Sequence, residues 1–422
     1  MKKMKWISAI LIAGVFAFTA CSDDEGSGEV FSDLPVEEQK EKMESEGIAM
    51  VQKMDEAKNL KTYDVIDGFF ALMDIADAQA VKAVEFSLNE VKSVQETKSI
   101  VNLKGALVDK MRASDEFKAE AGVYEWDSEM NDWMVVEEST TEITYRFLVE
   151  GQDAEISVYD FNVQDAAHQD DPEMVVELPL SLNAHVKLGA TVITSFSLQA
   201  EWNDDDTPKS ITEIITLENF SFTSELTNTT SKVAASASFK HNEDVIYGNG
   251  FSLEGDFSYT EIFNTLEGEG GMDDALAQEV LEKANVWFQL GNIKIEGILD
   301  FKGFMEGFAE KVDSGELNET STEQDMQDMM VELVNEYALL YVRFADSNEI
   351  IAKGEFYLEE MTDNYGGSYV EPAFLMVFGD GSKVTVDQFV EEGFADLIAE
   401  IESFIAALEE AYGEEEVVVT PV

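Results

Sequence analysis

Few side chains in this sequence of 422 residues can do covalent or acid-base chemistry: one cysteine, Cys21, and three histidines, His168, His185 and His241. A cysteine is the strongest side-chain nucleophile once its thiol is ionised, so Cys21 is the natural site of an alkylation or an acyl transfer. The histidines stand in no metal-ligand spacing and beside no nucleophile. No Gly-x-Ser-x-Gly elbow, His-Glu-x-x-His helix or Walker loop occurs in the sequence. With 88 acidic residues, almost any fold brings two carboxylates together, so their abundance is no signal for glycosidase-like hydrolysis. The expectation is a protein that is not an enzyme, with no catalytic, cofactor-binding or metal residue.

Calcium is the metal an acidic chain suggests first. In Gly379-Asp380-Gly381-Ser382-Lys383, placing Gly381 at the sixth position of an EF-hand loop puts Met376 and Phe378 at the first and third. Those side chains offer no oxygen, so the stretch reads as a hairpin turn at Asp380-Gly381. Asp204-Asp205-Asp206 and His168-Asp170-Asp171 read as solvated turns. Gly268-Glu269-Gly270-Gly271 carries carboxylates and no following lysine, which rules against a phosphate cradle and makes it a linker.

The surroundings of Cys21 are more specific. Lys2, Lys3 and Lys5 form a basic front end, Trp6 to Phe18 an apolar run, and Phe18-Thr19-Ala20 places small residues before the cysteine, with Phe18 where Leu is usual. The run is shorter than the roughly 20 residues of a bilayer span. This stretch resembles the lipobox of bacterial lipoproteins. The resemblance implies a signal peptide over residues 1–20, cleavage before Cys21, and two or three acyl chains that hold the mature protein to a membrane. The acidic tether of residues 21–34 opens with Ser22-Asp23-Asp24-Glu25, which is similar to the export signal of surface-exposed lipoproteins of Gram-negative bacteria. That implies an outer-membrane protein, lipid-anchored and facing the cell surface.

Charge excludes other partners. The formal net charge is -61, and the arginines are Arg112, Arg146 and Arg343. Such a field repels phosphate backbones, so nucleic acid is not a partner. Hydrophobic residues at 45% supply folded cores. With one cysteine, stability must come from packing rather than disulfides.

Periodicity then gives an α+β chain: an N-terminal helical hairpin, a large antiparallel meander sheet, and a mixed C-terminal region ending in a long amphipathic helix. Residues 35–118 read as helical, with helices from Pro35 through Met54 and from Thr62 to Lys82. The stretch Pro35 to Met73 looks like the start of large uncharacterised surface lipoproteins. Residues 119–266 alternate at period two. A hairpin carries Val123 to Trp126 and Trp133 to Val136, and strands are expected at Ile143–Val149, 154–163 and Val186–Trp202, the last with a bend or a turn at Gly189. Others are expected at Ile211–Leu226, Lys232–His241 and Val245–Phe263.

Residues 267–412 form the C-terminal region. It has helices at Asp273–Ala284, Phe301–Val312 and Thr322–Ala338, and strands at Val286–Leu299, Leu339–Phe344, Glu349–Leu358 and Ala373–Phe378. Thr385 and Gln388 form a capping box for a last helix whose apolar stripe runs from Phe389 to Leu408. Residues 413–422 are an acidic tail.

Two function classes fit. One is a non-enzymatic binding protein for a glycan, a peptide or an apolar small molecule. The other is a structural or accessory subunit that meets a protein partner in an outer-membrane assembly. Both depend on the anchor: replacing Cys21 by Ser is expected to move the chain from the membrane fraction to the soluble one. Mass spectrometry of the wild-type N-terminus should show an acylated cysteine.

Overall fold

The computed structural model describes residues 30–57, 60–78, 80, 82–95, 114–167, 175–203, 207–256, 281–316, 321–362, 368–391, 394, 396–401 and 403. Cys21, His168, Asp204 to Asp206 and Gly268 to Gly271 lie outside them. Among the described residues no helix is long and apolar enough to cross a membrane.

The fold is α+β, and the described residues form seven helices and sixteen strands in a mostly antiparallel sheet arrangement. It divides into two compact units. One contains Glu56–Asp244 and the residues from Gly248 to 256. The other contains the described residues up to Asp55, Val245–Tyr247 and those from 281 onward. The segment expected as one helical region contributes to both.

The first unit carries helices α2 (Lys61–Ile75), α3 (Lys82–Gln95) and α4 (Ser114–Ala119). Its strands are β1 (Gly122–Asp127), β2 (Asp132–Glu138), β3 (Glu142–Val149), β4 (Gln152–Ala167), β5 (Val175–Leu188), β6 (Thr191–Trp202), β7 (Pro208–Leu217), β8 (Phe220–Thr229), β9 (Lys232–His241) and β10 (Asp244–Gly255). They run in order from β10 to β3, followed by β1 and then β2 at the edge. β1 pairs parallel to β3, an exception to the meander that leaves β2 outermost.

Alternation decides which face is covered. In β6, Thr194, Phe196, Leu198 and Ala200 are buried while the residues between them are more open. β7 buries Ile211, Glu213, Ile215 and Leu217 in the same way. Helix α2 buries Val65, Ile66, Phe69 and Met73, and Phe69 packs edge-on to Tyr145 at 5.1 Å between ring centres. Phe86 of α3 meets Phe196 at 6.0 Å. The start of α2 has no side-chain cap of its own. Glu218, in the turn between β7 and β8, accepts a hydrogen bond from Thr62 N at 3.3 Å, and Thr62 Oγ1 joins Thr194 Oγ1 at 2.6 Å in the core.

The second unit carries helix α1 (Val36–Glu56), β11 (Leu281–Leu290), β12 (Ile293–Asp300), α5 (Phe301–Asp313), α6 (Glu323–Tyr337), β13 (Ala338–Phe344), β14 (Ile350–Thr362), β15 (Ser368–Phe378), β16 (Lys383–Thr385) and α7 (Val386–Glu391). β11 to β16 are neighbours in chain order. On one face Val342, Phe344, Ala352, Met376 and Phe378 form a core with Phe389 and Phe394, against which Met43 and Leu397 pack. Helices α5 and α6 are inserted between β12 and β13. Asp300 caps α5 by accepting from Gly303 N, and Thr322 and Asp325 make a reciprocal capping box on α6. A Cβ at Gly307 would meet Tyr337 Cε2 at 2.8 Å, so only glycine admits this approach of the two helices.

Several expected boundaries move, three of them at a tight turn. The Thr62–Lys82 helix ends at Ile75, where Asp77 takes φ 50°. Ile211–Leu226 is two strands, reversed at Glu218 with φ 56°. Val286–Leu299 is also two, reversed at Gly291 with φ 53°. Leu281–Ala284 begin strand β11 rather than ending a helix. Val192 is exposed, and Thr194 takes the core position, because the register shifts between Val186 and Lys187. The Thr385–Gln388 capping box forms, but the C-terminal helix is not continuous: α7 stops at Glu391, Phe394 is not helical, and helix resumes at residues 396–401.

One core position breaks the apolar rule. Glu213 is 3% exposed between Ile211 and Ile215, with Leu198 and Ser224 as cross-strand neighbours. Its Oε1 has no hydrogen-bond partner among the described residues. Burial, with a further push from the carboxylate of Glu90, raises its pKa to about 8. The folded chain therefore holds a proton that the unfolded chain releases near its ordinary value. Stability is expected to be full below about pH 4.5, to fall as pH rises to about 8, and then to level. Glu213→Gln should remove this slope and stabilise the protein at pH 8 by on the order of a few kcal/mol, read from urea unfolding at several pH values.

Candidate binding face

The face of β3 to β9 opposite α2 and α3 has a distinct composition. Cross-strand register lines up Thr144, Ser157, His185, Ser195, Thr216, Ser221 and Lys240 in a row across seven strands. The adjacent row is Glu142, Tyr159, Asn183, Ser197, Ile214, Thr223 and Ser238. Hydroxyls and amides dominate, in a chain where 27% of residues are charged. Neighbouring rungs are bonded: Thr144 Oγ1 to Ser157 Oγ at 2.9 Å, and Ser195 Oγ to Thr216 Oγ1 at 2.5 Å. Thr144 and Ser157 are buried, 3% exposed each, and bond one another, whereas Ser195, Thr216 and Ser221 are half-buried and keep capacity to exchange hydrogen bonds with water or a polar ligand.

A charged knot lies at the β3–β5 end of the face. Glu155 receives Lys187 Nζ at 2.6 Å and Arg146 Nε at 3.0 Å. Arg146 also reaches Glu125 at 3.8 Å. Burial alone would raise the Glu155 carboxyl, but the bonds from Lys187 and Arg146 outweigh it and hold it at about 2. His185 Nε2 stands 3.5 Å from Glu155 Oε1, at the long limit of a hydrogen bond, so this contact is mainly electrostatic. Burial lowers the His185 pKa, and Lys187 adds to that, against the pull of Glu155. The imidazole is therefore neutral near pH 7 and stacks obliquely on Tyr159, 5.6 Å between ring centres.

A bulge in β4 frames the knot. Asp160 adopts φ 55° where the β4–β5 register shifts. Its carbonyl accepts from Ser181 Oγ at 2.8 Å and Asn162 Nδ2 at 3.0 Å, and its carboxylate from Asn183 Nδ2 at 3.3 Å. The side chains around Tyr159 and His185 are thereby fixed before any ligand arrives.

Of the histidines singled out in the sequence, His185 belongs to this face and His241 does not. His241 closes β9, 4.8 Å from the Phe220 ring, with Asn219 Nδ2 at 2.6 Å from its Nε2. Asp380-Gly381 is a hairpin turn between β15 and β16, with Asp380 Oδ1 accepting from Ser382 N at 2.9 Å. Among the described residues no group of three or more histidine, cysteine or acidic side chains is placed to hold a metal ion. The expected strand Val186–Trp202 contains Ser195 and Ser197 and follows His185, but its alternation does not join them to Thr144, Ser157 and Thr216. That row depends on cross-strand register, which no single strand encodes.

The chain matches no family model, no curated protein and no solved structure.

Replacing Glu155 by Gln removes the carboxylate that favours the imidazolium. The His185 pKa is then expected to fall below its wild-type value, as followed through the ring proton resonances in a pH titration. A rise would show that Glu155 does not govern His185.

Proposed function

We propose that this chain is a lipid-anchored protein of a Gram-negative outer membrane, facing the cell surface, that binds a glycan without catalysis through the hydroxyl face of β3 to β9. The observation that carries the binding role is the row from His185 to Ser221, half-buried hydroxyls and one imidazole held at a single height across β5 to β8 and continued under cover by Ser157 and Thr144. Strands in a sheet repeat about every 4.8 Å, so the row offers an evenly spaced set of donors and acceptors. Sugar hydroxyls have the same double capacity. Tyr159 adds an aromatic ring of the kind on which a sugar ring can pack.

Charge narrows the ligand. A chain of net charge -61 repels anionic polymers. Arg146 and Lys187 do not offset this, because Glu155 and Glu125 already engage them. A neutral glycan fits better than an acidic one. The surface is an open sheet face rather than a groove between sheet and helices, which suits an extended polymer over a small apolar molecule.

The anchor rests on the lipobox-like stretch ending at Cys21, and the acidic residues behind it support the outward orientation. A second reading, an accessory subunit that docks on another protein, is favoured by one feature. Edge strand β2 exposes Met134, Val135 and Val136, and an apolar open edge is suited to strand addition.

Glycan binding is tested by titrating the purified protein with soluble neutral polysaccharides. Ser197→Arg and Thr223→Arg add bulk to the exposed face without entering the core, and each is expected to weaken binding at least tenfold while far-ultraviolet circular dichroism stays unchanged. Binding that survives both changes, or none to any neutral polysaccharide, contradicts the proposal.

A further inference from the structure

The N-terminal end of the described chain is clasped to the second unit. Phe31 forms a parallel bridge with Ile350, Ser32 N donates to Ile350 O at 2.9 Å, and Ile350 N donates to Val30 O at 2.8 Å. The Phe31 ring packs among Ile350, Tyr341 and their neighbours. Gly379 lies so close that a Cβ there would sit 2.9 Å from Phe31 Cβ. Because the bridge is parallel, Val30 lies at the end of the sheet at which β14 begins.

The same end holds the turns before Ile293, between Phe344 and Ile350, and between Phe378 and Lys383. Hydrogen bonds tie two of them together: Ala345 N to Asn292 O at 2.7 Å and Asp346 N to Asn292 Oδ1 at 2.8 Å. Val30 is nine residues on from Cys21, and nine residues reach at most about 30 Å.

We infer that the end of the β11–β16 sheet carrying the 345–349 and 379–382 turns faces the bilayer, held by the Phe31 clasp within reach of the phospholipid headgroups. The inference rests on the acylation of Cys21 proposed above. Charge at this end suits a headgroup layer better than the chain average. Lys42 stands 3.6 Å from Asp346, Lys294 2.8 Å from Glu296, Arg343 3.7 Å from the same Glu296, and Lys383 pairs with Glu355. Four of the 27 basic residues gather here against Asp346, Glu296 and Glu355, and although Glu349 and Asp380 in the same turns keep this end acidic, the repulsion between an acidic protein and anionic lipid is locally reduced.

Acylation would block the sulfur of Cys21, so an introduced cysteine becomes the free thiol for a fluorophore. Ser347→Cys and Ser382→Cys place it at the proposed membrane end. Glu359→Cys places it nine residues along β14 from Ile350, about 30 Å away by strand rise. The mature lipidated proteins are bound to phosphatidylethanolamine–phosphatidylglycerol vesicles carrying an acceptor on the headgroup. Energy transfer is expected to be several-fold greater from Ser347→Cys and Ser382→Cys than from Glu359→Cys. Inserting twenty Gly and Ser residues after Ser27 should bring the first two down to the level of the third.

Equal transfer from all three positions in protein that floats with the vesicles overturns the orientation and leaves the anchor standing. Transfer unaffected by the insertion does the same. A chain that stays in solution with a free Cys21 thiol overturns the anchor, and the orientation with it.

Discussion

Alternation along a strand is the constraint on which the rest of the first unit depends. Successive side chains point to opposite faces, so a slip of one residue would send Phe196, Leu198 and Ala200 to solvent and Ser195, Ser197 and Gln199 under the helices. Short turns keep the register. Glu150-Gly151, Gly189, Glu218 and Asn242 all adopt positive φ, and each reverses the chain between neighbouring strands. Such turns match the twist of the strands they join. Without them the hydroxyl row would not form, because its members come from six strands.

The two faces then carry different tasks. The apolar one supplies stability, through Phe69, Phe196 and their neighbours beneath α2 and α3. The open one needs no apolar contact and is built from small polar residues that hold one another in place. Its charged residues are confined mainly to the knot around Glu155, where Lys187 and Arg146 consume the negative charge locally. Glu213 shows the cost of crossing between faces: burial on the apolar side, with the carboxylate of Glu90 near, favours the form of its carboxyl that keeps the proton. Conservative apolar replacement at that position would remove a titrating group from the core without touching the binding face.

Much of the architecture was legible because it is local. Period-two stretches announced β3, β6 and β9, Asp380-Gly381 announced its hairpin, and Thr385 with Gln388 announced the start of α7. The misread segments have a physical cause in common. At Glu218-Asn219 and Gly291-Asn292 the reversal takes two residues, too few to interrupt an apolar pattern, so hairpins looked like single long strands. The parallel pairing of β1 with β3 could not be read at all, since it depends on where a neighbouring hairpin lands. The candidate site was legible only in pieces: His185 stood out as one of three histidines, whereas its alignment with Ser157 and Ser195 is a property of the sheet.

The face and the edge strand make opposite demands on a partner, and this separates a glycan-binding surface from a protein-docking edge. Hydroxyl-radical footprinting of the lipidated protein on intact cells, set against the purified protein, measures the difference directly. If the open face is the working surface, Tyr159, Leu148 and Ile214 should become protected on cells while Met134 of β2 stays reactive. Protection of Met134 with Tyr159, Leu148 and Ile214 fully reactive would contradict the account.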